Sequence, residues 1–406
     1  MLYHDLANRL RTRVAAGEMP SSFEGYFVRT VACRMETAAD EAILWQMPGN
    51  PEPFHGPEKI FGEPADRTCL AGIGPFDLAT GPTTLLRLEG AEIIGNNAVL
   101  CDGALYSPAP AANGDVLKRL RWENNYQGFV LTEREGTHFC TYACREAPRA
   151  LSHHAVFFHN LERGNYGSFL LRQLPQMLLF RAAAAAAGLP AFDCYVVPER
   201  TPWFREALAL VGLPERPVLS LEDVSGDRFV SVMLFGNCEA EGFLPAVATA
   251  ELPRLIERCG ANPRGRPGTD IYVSRRLLDI RRPNYRRLRN YDDVETLFAA
   301  AGFEIVTPEA LSFAEQVRVF AAAGRIAGPS GSGMLNAVFA PADARVLDME
   351  SFSNNVRQHA KLYSSTRKPY AFAFGDVDAA GDRPLLTRNW TMPLPAAKEA
   401  LAWLKA

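Results

Sequence analysis

The sequence predicts an α/β protein of two domains with parallel, doubly wound sheets facing one cleft, and a β-rich segment ahead of them. Three observations predict it. Strand-then-helix units repeat through residues 192–235 and again through 270–374, with the Pro/Gly-rich stretch 262–268 between the two series. Short β-type pieces parted by glycine turns fill residues 83–150. At 406 residues the chain has room for about two to three separate cores.

Taken in order, residues 1–60 read as helical at first and then loop-rich. Thr83–Leu88, Ala91–Ile94 and Ala98–Leu100 read as strands, with Gly90 and Gly95-Asn96-Asn97 as the turns between them. His153-His154 beside Phe157-Phe158 reads as a strand with partly buried rings. Asn165–Ala187 reads as a long helix interrupted at Pro175 and stopped by Gly188. Strands Phe192–Val197, Pro217–Leu221 and Phe229–Phe235 follow, with a helix over Pro202–Val211. The second series places strands at Asp270–Val273, Phe303–Val306, Arg325–Ala327, Arg345–Met349 and Tyr370–Phe374. Its helices fall near Asp292–Ala301, Phe313–Ala323, Met334–Phe339 and Ala396–Ala406. Units of this size form Rossmann-like sheets. The domains expected are an extension over 1–60, an α/β domain with its β-rich beginning over 61–245, and a Rossmann-like domain over 246–406.

Composition narrows the function. With 43 Lys+Arg against 46 Asp+Glu the net charge is −3, which argues against a general nucleic-acid binder. The start, Met1-Leu2-Tyr3-His4-Asp5, has no cationic segment leading into an apolar run, so no signal peptide is expected. Phe169–Ala187 is apolar but broken by Arg172, Gln173, Gln176 and Arg181, which argues against a membrane helix. Eight scattered cysteines read as reduced, buried thiols, and the expected compartment is the cytoplasm.

Three segments carry possible chemistry. Gly328-Pro329-Ser330-Gly331-Ser332-Gly333 follows a strand and opens a helix. Glycines there admit close backbone approach, free N–H groups and the helix dipole favour a phosphate, and Ser330 and Ser332 add hydroxyls. A tight structural turn explains the same residues equally well. The loop matches neither GxGxxG nor a P-loop, which argues against a dinucleotide-dependent enzyme. Seven arginines fall between 275 and 289, just past a strand, where guanidinium forks suit a diphosphate. Arg275 and Arg276 lie nearest the strand end; most of the run reads as solvated surface. Gly164-Asn165-Tyr166-Gly167-Ser168 sits at a helix start, with His159 six residues before Asn165; an ordinary helix cap accounts for Asn165 or Ser168 as well. Asp376-Val377-Asp378 has the DxD spacing of a metal site, and His138, Cys140 and Cys144 could ligate zinc. Neither pattern has the further ligands that would make it specific, and no metal or other cofactor is expected.

With these residues in hand, the chain resembles glycosyltransferase family 61, whose bacterial members are often labelled capsular polysaccharide biosynthesis proteins. The resemblance runs from about residue 83 to 350. It rests on Asn165-Tyr166-Gly167-Ser168-Phe169-Leu170 with Leu174-Pro175; on Tyr272-Val273-Ser274-Arg275-Arg276 with Arg286 and Asn290; and on residues 302–341 with Glu315, Gln316 and Asn336. A carboxylate near the end of the next strand corresponds to Asp348. Two family histidines are serine here, Ser168 and Ser330, and an acidic residue of the first motif is Arg172.

The resemblance implies a GT-B-like enzyme that transfers a sugar from a nucleotide donor with inversion and without metal. Arg275, Arg276, Arg286, Asn290, Glu315, Gln316, Ser330, Gly331, Ser332, Gly333, Asn336 and Asp348 are then the donor-side residues. His159, Glu162, Asn165, Tyr166 and Ser168 are the catalytic-side residues, with His159 and Glu162 as candidate bases, though a packed ring and a solvated carboxylate explain these two as readily. The implied acceptor is a glycan or lipid-linked glycan, a surface-polysaccharide or lipopolysaccharide precursor, reached through peripheral contact at the inner membrane face. The replaced motif residues support one alternative, a glycan- or nucleotide-binding protein of the same fold that has lost catalysis, because an unactivated serine is no base at neutral pH.

Overall fold

The computed structural model describes residues 10, 12–13, 22–23, 26–36, 42–49, 51–71, 73–74, 76–79, 82–106, 129–144, 148–236, 242–262, 268–281, 286–351, 356–379 and 387–406. Cys238, Arg282 and most of the Pro/Gly-rich stretch lie outside the described residues. The chain divides into two compact units, one formed by residues 1–51 and 79–240, the other by 52–78 and 241–406. This differs from the expected partition, because residues 52–78 pack with the second unit rather than with an extension or the first domain.

Among the described residues the first unit holds two large sheets. One is built around Tyr26–Glu36, an 11-residue strand in a region expected to be helical and loop-rich. It pairs antiparallel with Thr137–Cys144 and parallel with Ala104–Tyr106. From Thr30 to Arg34 exposed and covered residues alternate, the period of a half-buried strand.

The other sheet contains β1 (Ile43–Met47), β2 (Thr83–Glu89), β3 (His154–Phe157), β4 (Cys194–Val197), β5 (Val218–Ser220) and β6 (Ser231–Gly236), in the order β5-β4-β3-β6-β2-β1. The first four are mutually parallel, and β2 and β1 add antiparallel at one edge. Parallel strands are covered on both faces, so they read as continuous apolar runs; Leu86, Phe157, Val196, Val232 and Leu234 form the core here. The order reverses between β3 and β6, which makes the crevice at their carboxyl ends a switch point.

After β3 the expected helix is restarted at Pro175 rather than kinked there. A single turn, Tyr166–Ser168, capped by Asn165, passes into a π-type turn at Phe169–Gln173 and then into α1 (Leu174–Ala187). Pro175 falls in the first turn of α1, where its missing N–H costs nothing. Helix α2 (Pro202–Val211) follows β4.

The second unit is built on a parallel sheet of β7 (Thr269–Val273), β8 (Glu304–Val306), β9 (Ala323–Pro329), β10 (Arg345–Glu350) and β11 (Tyr370–Phe374), with the short strand Lys59–Phe61 added beside β11. The order β8-β7-β9-β10-β11 is the doubly wound order in which the chain turns back between its first and third strands, here β7 and β9. Helices α3 (Tyr291–Ala300), α4 (Phe313–Ala321), α5 (Val356–Ser365) and α6 (Leu394–Lys405) connect and close it. Val294, Phe298, Leu401 and Leu404 pack with Tyr272, Ala327, Leu347 and Ala371 of the strands.

Candidate functional site

In the second unit the switch point between β7 and β9 carries the glycine loop and one end of the arginine run. Two glycines are required there. A Cβ on Gly328 would meet the Val273 carbonyl at 2.6 Å, so the loop can leave the sheet against β7 only without a side chain. Gly331 adopts φ +152°, where a Cβ would stand 2.7 Å from Arg275 Nη1. Ser330 is the fixed point between them. Its N–H donates to Met349 O at 2.7 Å, and its carbonyl accepts from two guanidinium groups, Arg275 Nη1 and Arg286 Nη2, the latter at 3.1 Å. The N–H groups of Gly331 and Gly333 carry no hydrogen bond among the described residues. Unbonded amides beside two buried cations make an anion-favouring loop.

The following helix, Met334–Phe339, is a 3₁₀ segment of six residues, so the positive potential comes from the arginines more than from a helix dipole. Asn336 supports the loop from below. Its Nδ2 donates to Gln316 Oε1 at 2.8 Å and to Gly333 O at 3.2 Å, tying the loop to α4.

Behind Ser330 lies a buried polar cluster. Arg286 Nη1 stands 3.8 Å from Glu350 Oε2, with both side chains almost fully buried. Burial raises the Glu350 carboxyl above the usual range, and Arg286 and the Ser330 hydroxyl oppose that shift. Asp348 Oδ2 accepts from Tyr363 OH at 2.6 Å and lies 2.5 Å from His359 Nδ1. His359, Tyr363 and Glu350 were not singled out in the sequence. The spacing of His359 and Tyr363, four residues apart on one helix, is the signal that could have found them.

Three donor-side residues lie elsewhere. Arg276 begins the helix Arg276–Arg281 and turns away from Arg275; its guanidinium pairs with Glu295 at 2.8 Å and with Asp292 and lies over the Tyr291 ring. Asn290 clamps the backbone of Met392 through both amide atoms. Glu315 closes a capping box with Ser312 at the start of α4, on the exposed surface. Asp378 of the DxD pair is held by Arg289, whose Nε donates to both carboxylate oxygens at 2.9 and 3.0 Å.

In the first unit the five catalytic-side residues gather at the carboxyl end of β3. Asn165 Oδ1 caps the Ser168 N–H at 3.2 Å and its Nδ2 donates to Glu162. Ser168 Oγ donates to Asn160 Oδ1 and accepts from Arg172 Nη1 at 2.8 Å. Tyr166 packs edge-on against Trp203 of α2, centroids 5.5 Å apart. His159 sits at the switch point itself, but its Nε2 donates to the Phe235 carbonyl at 3.0 Å and its backbone is bracketed by the Gln176 amide. Burial pushes its pKa down to about 4. A ring so tied is a packing element and a poor proton acceptor.

A doubly wound α/β unit with an anion-favouring loop at its switch point is therefore the class of protein in hand. Residues 166–347 match the model of the family described as Glycosyltransferase 61, so this segment is similar to that family of glycosyltransferases. The match begins at Tyr166 and ends in β10, so it takes in the glycine loop, Arg275 and Arg286 and stops short of His359. No curated protein matches the chain at a significant level. No helix among the described residues is long and apolar enough to cross a membrane.

Proposed function

We propose that the protein is an inverting, metal-independent glycosyltransferase of GT-B type. It would move a sugar from a nucleoside diphosphate donor to a surface-polysaccharide or lipopolysaccharide precursor, working in the cytoplasm at the inner membrane face. The observation that carries this reading is the convergence of Arg275 and Arg286 on the Ser330 carbonyl at the β7/β9 switch point. That arrangement fixes two cations beside the open amides of Gly331 and Gly333, where the negative charge of a departing diphosphate would grow. Charge supplied this way takes the place of a divalent ion on the leaving group.

A panel of sugar nucleotides, scored for nucleoside diphosphate release, tests the reading. Release from at least one donor, unchanged by EDTA, is the expected result. Loss on chelation with recovery on manganese or magnesium would overturn the metal-independent part and return Asp376 and Asp378 to consideration. A thermal shift with UDP or GDP but no turnover on any donor would favour the alternative, a binding protein that has lost catalysis.

A further inference from the structure

Helix α5 places His359 against the glycine loop, and the imidazole is held on one side only. Its Nδ1 lies 2.5 Å from Asp348 Oδ2, 3.4 Å from Tyr363 OH and 3.5 Å from Ser330 Oγ. Its Nε2 makes no hydrogen bond among the described residues. The Asp348 carboxylate can only accept, and Tyr363 OH already donates to the same oxygen. The proton of the neutral ring therefore sits on Nδ1, and Nε2 presents a lone pair. A lone pair has nothing to offer a phosphate oxygen, which is itself an acceptor. It suits an O–H group.

We propose that His359 is the general base of the transfer, oriented by Asp348. The proposal rests on the glycosyltransferase reading above and adds the group that reading lacks. As the acceptor hydroxyl attacks the anomeric carbon, His359 Nε2 takes its proton. The new C–O bond forms from the oxygen lone pair, and the bond to the diphosphate breaks with its electrons leaving on the phosphate oxygen. The proton later passes to solvent. Asp348 then faces the charge on the imidazolium, as in other carboxylate-oriented histidine bases. The charged and titratable groups around the ring are Asp348 and Glu350 of β10, Arg286 from the segment before α3, and Tyr363 of α5. His359 is 1% exposed, so the reaction it serves would be shielded from bulk water.

The experiment compares the wild type with His359→Asn and His359→Ala on the sugar nucleotide that the wild type hydrolyses fastest, with water standing in for the acceptor. Asparagine keeps an amide beside Asp348 and places nothing at the Nε2 position. The expected result is a loss of about 10²–10⁴ in kcat with donor KM little changed. The thermal shift on adding the nucleoside diphosphate should persist, and free imidazole should restore part of the rate in His359→Ala. A folded His359→Asn enzyme that keeps wild-type kcat would overturn the proposal. So would a variant that loses the nucleotide-induced shift while kcat at saturation holds, which would make His359 a binding residue. If the wild type neither releases nor binds any nucleoside diphosphate, the glycosyltransferase reading itself fails, a result distinct from either of these.

Discussion

The two units place a histidine near the switch point of a parallel sheet, and the two rings are treated in opposite ways. In the first unit His159 donates through Nε2 to the Phe235 carbonyl, and Gln176 bridges the backbone around it. In the second, His359 is gripped at Nδ1 by a carboxylate, while its other nitrogen is left without a bond among the described residues. The first arrangement completes a core; the second orients a reactive atom. Position at a strand end marks where chemistry can occur, and the partner of each ring nitrogen decides whether it does.

The largest effect that would test this contrast is in stability. Arg286→Ala leaves Glu350 buried without its cation and should cost about 3–5 kcal/mol, read from denaturant melts. An unchanged midpoint would mean that the second switch point is no more charged in practice than the first. Next comes turnover. Arg275→Ala should lower kcat by about 10²–10³, and Arg275→Lys should recover only part of it, because the fork that reaches Ser330 is lost. Arg276→Ala, whose partners are Asp292 and Glu295, should stay near the wild-type rate. Equal losses at both positions would erase the distinction between them.

The first switch point is sharpened by pH. The folded His159 titrates at about 4 against 6.5 for the free side chain, so the unfolded chain binds the proton first as pH falls. Its contribution is fully present above about pH 6.5 and is lost progressively toward pH 4, about 3 kcal/mol in all. His159→Gln should flatten that limb of the stability–pH curve; an unaltered slope would place the effect in other groups. The smallest effect is at the capping box. Glu315→Ala should cost at most about 1 kcal/mol and leave nucleotide-induced stabilisation intact, a result that would keep Glu315 out of the donor site.

Much of this was legible in the sequence where covalent geometry or burial leaves one solution. The strand Tyr370–Phe374 and the helix Pro202–Val211 appear at the residues expected, because one is a buried apolar run and the other begins on proline and ends before glycine. The glycine loop, too, falls at the end of a strand, as read. Helix Val356–Ser365 was missed because polar residues interrupt its covered face: His359, Lys361 and Ser364 are buried where periodicity looks for apolar side chains. Arg276 was misplaced because neighbouring residues at a helix start point about 100° apart, so adjacency to Arg275 says little about a shared ligand. The strand Tyr26–Glu36 holds β-type residues at Tyr26, Phe27, Val28, Thr30 and Val31, but its arginines interrupt the apolar pattern and its pairing partners lie far along the chain.

The strand Lys59–Phe61 has a consequence for how the protein is made. It is among the first parts of the second unit to leave the ribosome, yet its partner, Ala371–Ala373, follows about 300 residues later. Between the two the ribosome delivers residues 79–240, the larger part of the first unit, so an early piece of the second must wait unpaired while its neighbour folds. A gene fragment beginning after residue 240 would encode α3 to α6 and still lack this edge strand. Its outermost strand, β11, would then stand open to other chains, which makes solubility of that fragment, compared with one that also supplies residues 52–78, a direct reading of what the early strand is for.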